Sequence, residues 1–138
     1  MTYSDFTIMV VEDDLGMQKI YQKSLSGEGY KVILAESGAR ALAELAETKA
    51  DLLITDLKMK TMSALELLPI LKKDFPRLPV IVVSGRYGGL LEDFNKKGFD
   101  NVKLFFQKPL SMDILKQKVR GILKINDKGE TDKQPVTQ

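Results

Sequence analysis

The sequence has neither cysteine nor histidine among its 138 residues. Without cysteine there is no disulfide, no thiolate nucleophile and no Cys-type zinc site. Without histidine the chain lacks the usual general base, the usual transition-metal ligand and any phosphohistidine of its own. Long apolar runs are missing too; none approaches the ~18 residues that a membrane span needs. The start, Met1-Thr2-Tyr3-Ser4-Asp5, has neither the basic residues nor the apolar stretch of a signal peptide. The chain is therefore read as cytoplasmic, with no membrane association. A charge excess is also lacking. Lys and Arg number 21 against 19 Asp and Glu, and a net +2 gives no reason to expect direct nucleic-acid binding.

What is present is the balance of an ordinary globular domain, 43% apolar and 29% charged. The length suits one domain with a core that needs no staples. Short apolar runs alternate with segments of helical period. The runs are Ile8–Val11, Val32–Ala35, Leu52–Thr55, Val80–Val83 and Leu104–Phe106. The first helical segment, Leu15 to Ser26, places Met17, Ile20, Tyr21 and Leu25 on one side, with Gly27 and Gly29 ending it. The second, Ser37 to Thr48, has Ser37 as N-cap and Leu42, Leu45 and Ala46 on one face. Ser63-Ala64-Leu65-Glu66 matches a capping box that opens a third helix, with Leu67, Leu68 and Leu71 inward and Pro69 bending its first turns. A short helix is expected over 90–97, ended by Gly98. Ser111 caps a last one with Met112, Leu115, Val119 and Ile122 on one face.

Five strands alternating with five helices argue for an α/β fold with a doubly wound parallel sheet, helices on both faces. The flavodoxin-like strand order 2-1-3-4-5 suits such a chain. Residues 1–125 form the expected domain. Residues 126–138 are polar and read as a disordered tail or the start of a linker.

In such a sheet, sites form beyond the carboxyl ends of the strands. Strand 1 ends in Glu12-Asp13-Asp14, strand 3 in Asp56, strand 4 in Ser84 and strand 5 in Gln107-Lys108-Pro109. Each has a plain reading alone, such as Asp14 as a helix cap. Together they bring acids, a hydroxyl and an amine to one rim. Glu12, Asp13 and Asp56 would repel one another, and a hard divalent cation, Mg²⁺ or Mn²⁺, would relieve this. Asp56 could then act as a carboxylate nucleophile, with Ser84 and Lys108 holding phosphate oxygens.

At these residues the chain resembles the receiver domains of two-component response regulators, the CheY-like version of the fold, over about Phe6 to Lys124. The motifs are Val10-Val11-Glu12-Asp13-Asp14, Leu53-Ile54-Thr55-Asp56-Leu57-Lys58-Met59, Val82-Val83-Ser84-Gly85 and Lys108-Pro109. The resemblance implies that Asp56 is the phosphoacceptor. It implies that Asp13 is a direct metal ligand, that Glu12 acts through a metal-bound water, and that the Lys58 backbone carbonyl is a third metal contact. Ser84 would be the switch hydroxyl, Lys108 the phosphate-pairing amine and Phe105 the aromatic switch position, alternatively a core aromatic. A cis Lys108-Pro109 peptide is implied as well. The implied partners are a histidine kinase or a histidine phosphotransfer protein, and an output domain or protein that reads the face of helix 4, strand 5 and helix 5. Lys96, Lys97, Lys116, Lys118, Arg120 and Lys124 lie in that half. Homodimerisation on phosphorylation, common among receivers, is left open.

Three features depart from the family pattern. After Asp56 the usual Met-Pro-Gly and later Asp-Gly are replaced by Met59-Lys60-Thr61-Met62-Ser63-Ala64. Gly98 stands about three residues further from the lysine than usual, so a longer loop before strand 5 is expected. A glycine-rich stretch follows Ser84. Two other readings compete. One is a receiver-fold interaction module that acts without phosphorylation. The other is a phosphatase with an Asp-x-Asp motif, disfavoured because Lys58 holds the place of the second acid. The expected protein is a signalling phosphoacceptor rather than an enzyme acting on other substrates.

Overall fold

The structure is a computed structural model that describes residues 3–85, 96 and 98–124. The expected helix over 90–97 apart from Lys96, which is helical, most of the glycine-rich stretch and the tail 126–138 lie outside the described residues. The strands are β1 Thr7–Val11, β2 Lys31–Ala35, β3 Leu52–Asp56, β4 Val80–Ser84 and β5 Val102–Gln107. The described helices are α1 Leu15–Glu28, α2 Gly38–Glu47, α3 Ala64–Asp74 and α4 Met112–Leu123. All strands pair in parallel, in the order β2-β1-β3-β4-β5.

Two apolar layers cover the sheet, because alternate strand residues point to opposite faces. Met9, Val11, Leu53, Val80 and Val82 pack with Leu45 of α2 and with Leu67, Leu68 and Leu71 of α3. Ile8, Val10, Leu52, Ile54, Ile81 and Val83 pack with Tyr21 and Leu25 of α1 and with Leu115 and Val119 of α4. Fully burying each such aliphatic side chain stabilises by about 1.5–3 kcal/mol. An ion pair, Arg120 Nη1 to Glu28 Oε1 at 2.7 Å, ties α4 to the end of α1. Of the basic residues named in that half, Arg120 is thereby paired within the fold.

Several expectations are corrected. Gly27 does not end α1; it is helical, and Gly29 ends it at φ 112°, with its amide donating to Leu25 and Ser26 carbonyls. That left-handed conformation is where glycine is favoured. Ile20 is exposed, while Met17, Tyr21 and Leu25 face inward. On α2 the buried face carries Gly38, Ala41 and Leu45, and Ala46 is exposed. Ser63 precedes α3 as expected, but its side chain makes no capping bond. Instead its carbonyl accepts from Glu66 and Leu67 amides, both at 3.1 Å. α3 runs through Pro69. The missing amide deprives the Leu65 carbonyl of its partner, and Leu65 is exposed, so water can replace it.

β5 begins at Val102, two residues before the apolar run Leu104–Phe106. Val102 pairs with Val80, but Leu104 pairs with Ile81, so Lys103 is an unpaired bulge residue. The bulge sets the facing of everything after it. Val102 and Phe105 reach the α2–α3 layer, and Leu104 and Phe106 the α1–α4 layer.

Candidate functional site

The sheet reverses its winding between β1 and β3, and the chain emerging from both strands meets at that crevice. Glu12 continues β1 by one rung, its amide donating to Ala35 O at 2.9 Å. Asp14 then caps α1, accepting from the Met17 amide at 2.8 Å. This turn leaves Glu12 and Asp13 at the rim. Carboxylate oxygens of Glu12, Asp13 and Asp56 all lie within 4.8 Å of one another. From β5, across β4, Lys108 reaches back to place Nζ 3.2 Å from Asp56 Oδ1. The Lys108 amide donates to the Ser84 carbonyl at 2.7 Å, and the Lys108-Pro109 peptide is cis, as expected. The hydrogen bond to Ser84 seats the lysine beside the end of β4. Ser84 is buried there.

The electrostatics follow from burial and crowding. Glu12 is almost fully buried. Desolvation first, then the Asp56 charge, pushes its carboxyl above the usual range, against the pull of Lys108. Asp56 is also raised, chiefly by desolvation; Lys108 and the Leu57 amide act in the opposite direction. Below them Tyr21 is buried in the α1 layer. Burial, then the charges of Glu12 and Asp56, holds its hydroxyl far above the ordinary range. One ammonium thus offsets three crowded carboxylates only in part.

This donor set fits a hard divalent cation. All three ligating groups are carboxylates, their mutual repulsion would be relieved by positive charge, and no soft ligand is among them. Receiver domains bind Mg²⁺ at an acidic pocket of this kind.

The loop leaving Asp56 is fastened at both ends. The Leu57 amide donates to Val83 O at 2.8 Å, and the Ala64 amide to Leu57 O at 3.0 Å. Met59 and Met62 pack against the α2–α3 layer. Met62 lies over Gly38, where an added Cβ would stand 2.6 Å from its Sδ. Lys58 and Lys60 are exposed. The Lys60 amide donates to Asp13 Oδ2 at 2.9 Å, across 47 residues of sequence.

Glu12, Asp13 and Asp56 meet in one cluster, Lys108 reaches Asp56, and the Ser84 carbonyl holds the Lys108 amide; Phe105 is not among them. It sits partly buried in the α2–α3 layer, at the level of Val82. Sequence reading missed three contributors: the Lys60 amide, the Gln18 side chain donating to Glu12 O at 2.6 Å, and Tyr21 under the acids. Gln18 and Tyr21 could have been suspected, since residues near the start of α1 stand over the end of β1. A backbone amide leaves no mark in the sequence.

The winding, the acidic crevice and the lysine opposite Asp56 define a receiver-type signalling protein. The chain belongs to the response regulator receiver domain family, whose model matches residues 8–120. It is 34% identical over 123 residues to the transcriptional regulatory protein GlrR of Escherichia coli K12, covering 89% of this chain and 27% of GlrR. It is 32% identical over 135 residues to the response regulator MprA of Mycobacterium avium, covering 94% of this chain and 55% of MprA. The chain thus spans about a quarter of the first relative and about half of the second. Among solved structures, TrrA from Thermotoga maritima, in complex with Mg²⁺ and BeF, superposes with a TM-score of 0.74 at 27% identity. That match covers 86% of this chain and 99% of TrrA. A receiver domain protein (CheY-like) from Methanospirillum hungatei JF-1 gives 0.76 at 25% identity, covering 84% and 91%. Receiver domains are signalling proteins rather than classical enzymes. Among the described residues no helix is long and apolar enough to cross a membrane.

Proposed function

We propose that this chain is a phosphoacceptor that takes a phosphoryl group on Asp56 from a phosphohistidine of a histidine kinase or phosphotransfer protein. The observation that carries this reading is Lys108 Nζ at 3.2 Å from Asp56 Oδ1, beside a three-carboxylate cluster. In the transfer, a bond forms between an Asp56 oxygen and phosphorus. The donor's nitrogen–phosphorus bond breaks, its electron pair leaving with the imidazole. Glu12, Asp13, Asp56 and the Lys58 carbonyl would hold Mg²⁺, which when bound neutralises charge on the phosphoryl oxygens.

The chain's own residues supply the rest. Lys108 pairs with a phosphoryl oxygen in place of the free carboxylate. Ser84, buried at the end of β4, donates its hydroxyl to another. Drawing Ser84 and Lys108 toward the phosphate biases the ends of β4 and β5, and with them Phe105. The face that carries β5 and α4 then engages an output domain or protein. Residues 1–125 make up the receiver, and 126–138 a polar tail or linker.

Beryllofluoride with Mg²⁺, which TrrA's structure contains, tests this reading directly. Bound fluorine NMR signals should appear with the native chain and be lost in Asp56→Asn. No bound signal in the native chain would sink the reading.

A further inference from the structure

At the end of the sheet opposite Asp56, where the strands begin, a hollow of about 280 Å³ lies beside the Pro76–Pro79 turn into β4. Lys72 of α3 and Asp100, Asn101 and Lys103 from the approach to β5 line it together with Arg77. Asn101 stands one residue before β5, where its carbonyl accepts from the Val80 amide at 2.8 Å. It is only 3% exposed, and neither its side-chain nitrogen nor its side-chain oxygen has a hydrogen-bond partner among the described residues. A buried carboxamide in that condition is costly, because its bonds to water are given up and not replaced.

The charge around it is positive. Lys72 Nζ pairs with the Asp100 carboxylate, and Lys103 Nζ donates to the Asp100 carbonyl at 3.0 Å. Arg77 is exposed and pairs with no acid among the described residues. Three cations thus face one carboxylate. The carbonyl end of α3 adds about half a negative charge, too little to cancel the excess. An anion is favoured, and the Asn101 amide narrows which one. Its Nδ2 donates and its Oδ1 accepts, so a matching anion gives a proton as well as receiving one. Hydrogen phosphate does both. Sulfate, of the same tetrahedral shape, has no proton to give at neutral pH.

We propose that this hollow is a binding site for inorganic phosphate, separate from the phosphoacceptor. Arg77 grips two of its oxygens, Lys72 and Lys103 add charge, and Asn101 donates to one oxygen and accepts the P–OH proton.

Backbone amide NMR of the labelled native chain tests this, without divalent cations and at constant ionic strength. Inorganic phosphate should give saturable shifts at Arg77, Leu78 and Asp100 to Lys103. Sulfate should bind about 10-fold more weakly, the cost of one hydrogen bond to a charged group. Asn101→Leu, of similar volume, should remove that preference, and Arg77→Ala should weaken both anions. Equal affinity for the two anions shows an adventitious ion only and overturns the proposal. So does a titration that never saturates, an Asn101→Leu chain that still prefers phosphate, or native affinity in Arg77→Ala. Should Asn101→Leu fail to fold, the Asn101 side-chain NH₂ signals of the native chain decide. They should move with phosphate at the same midpoint as the backbone; unmoved signals overturn the proposal.

Discussion

Lys108 Nζ stands 3.2 Å from Asp56 Oδ1, yet the Asp56 carboxyl is still held above its usual range. Desolvation is the larger influence, and the lysine offsets only part of it. Lys108→Met should therefore raise the Asp56 pKa further, visible by carbon NMR of the labelled carboxyl. It should also slow phosphorylation by a small acyl phosphate about 100-fold, the usual cost of losing one charge-stabilising donor. An Asp56 pKa that falls in the variant would contradict the assignment.

Asp56→Asn should stabilise the metal-free chain at neutral pH, on the order of 1 kcal/mol as for most single substitutions. The sign follows from the raised carboxyl. Between the ordinary pKa and the raised one, the folded chain holds more protons than the unfolded chain. The contribution of Asp56 to stability therefore falls as pH rises through that window and is regained on acidification. The advantage of the variant, measured by urea unfolding in EDTA, should be full near about pH 7 and shrink toward about pH 4. An advantage that grows on acidification, or a variant less stable than the native chain at neutral pH, would count against the crowding described here.

Gly38 meets Met62 so closely that a methyl group there must push the Met62 side chain aside. An added Cβ would lie 2.6 Å from Met62 Sδ and 3.1 Å from its Cβ. Gly38→Ala should cost about 1 kcal/mol through this overlap. Adding Met62→Ala should recover most of the overlap cost in a double-mutant cycle. Strictly additive losses would show that the two residues do not press on one another.

The bulge at Lys103 can be removed without changing the facing of β5. Deleting Lys103 leaves Val102 opposite Val80 and Leu104 opposite Ile81, a regular ladder. The deletion should cost no more than about 1 kcal/mol. Deleting Leu104 instead offers Lys103 for the inward place opposite Ile81 and should cost several times as much, by urea unfolding. Equal costs would show that Lys103 is not the extra residue.

The strand order and the rim were legible because buried parallel strands announce themselves as β-rich apolar runs. Glu12, Asp13, Asp56, Ser84 and Lys108 each follow such a run by one or two residues. Edges of elements were less legible. Gly27 and Gly29 both look like helix stops, and only the backbone conformation tells them apart. Ile20 and Ala46 fit an apolar stripe by spacing, but which side of a helix faces the sheet depends on its rotation. The Lys103 bulge was hidden because one surplus residue reads equally as loop or strand. The Lys60 to Asp13 bond was beyond sequence reading, since its donor is a backbone amide 47 positions away.

The account turns on Asp56 as the acceptor, and intact mass after incubation with Mg²⁺ and a small acyl phosphate tests it most directly. The native chain should gain one phosphoryl group, and it should gain none in EDTA or as Asp56→Asn. No gain in the native chain, or an equal gain in Asp56→Asn, would contradict it.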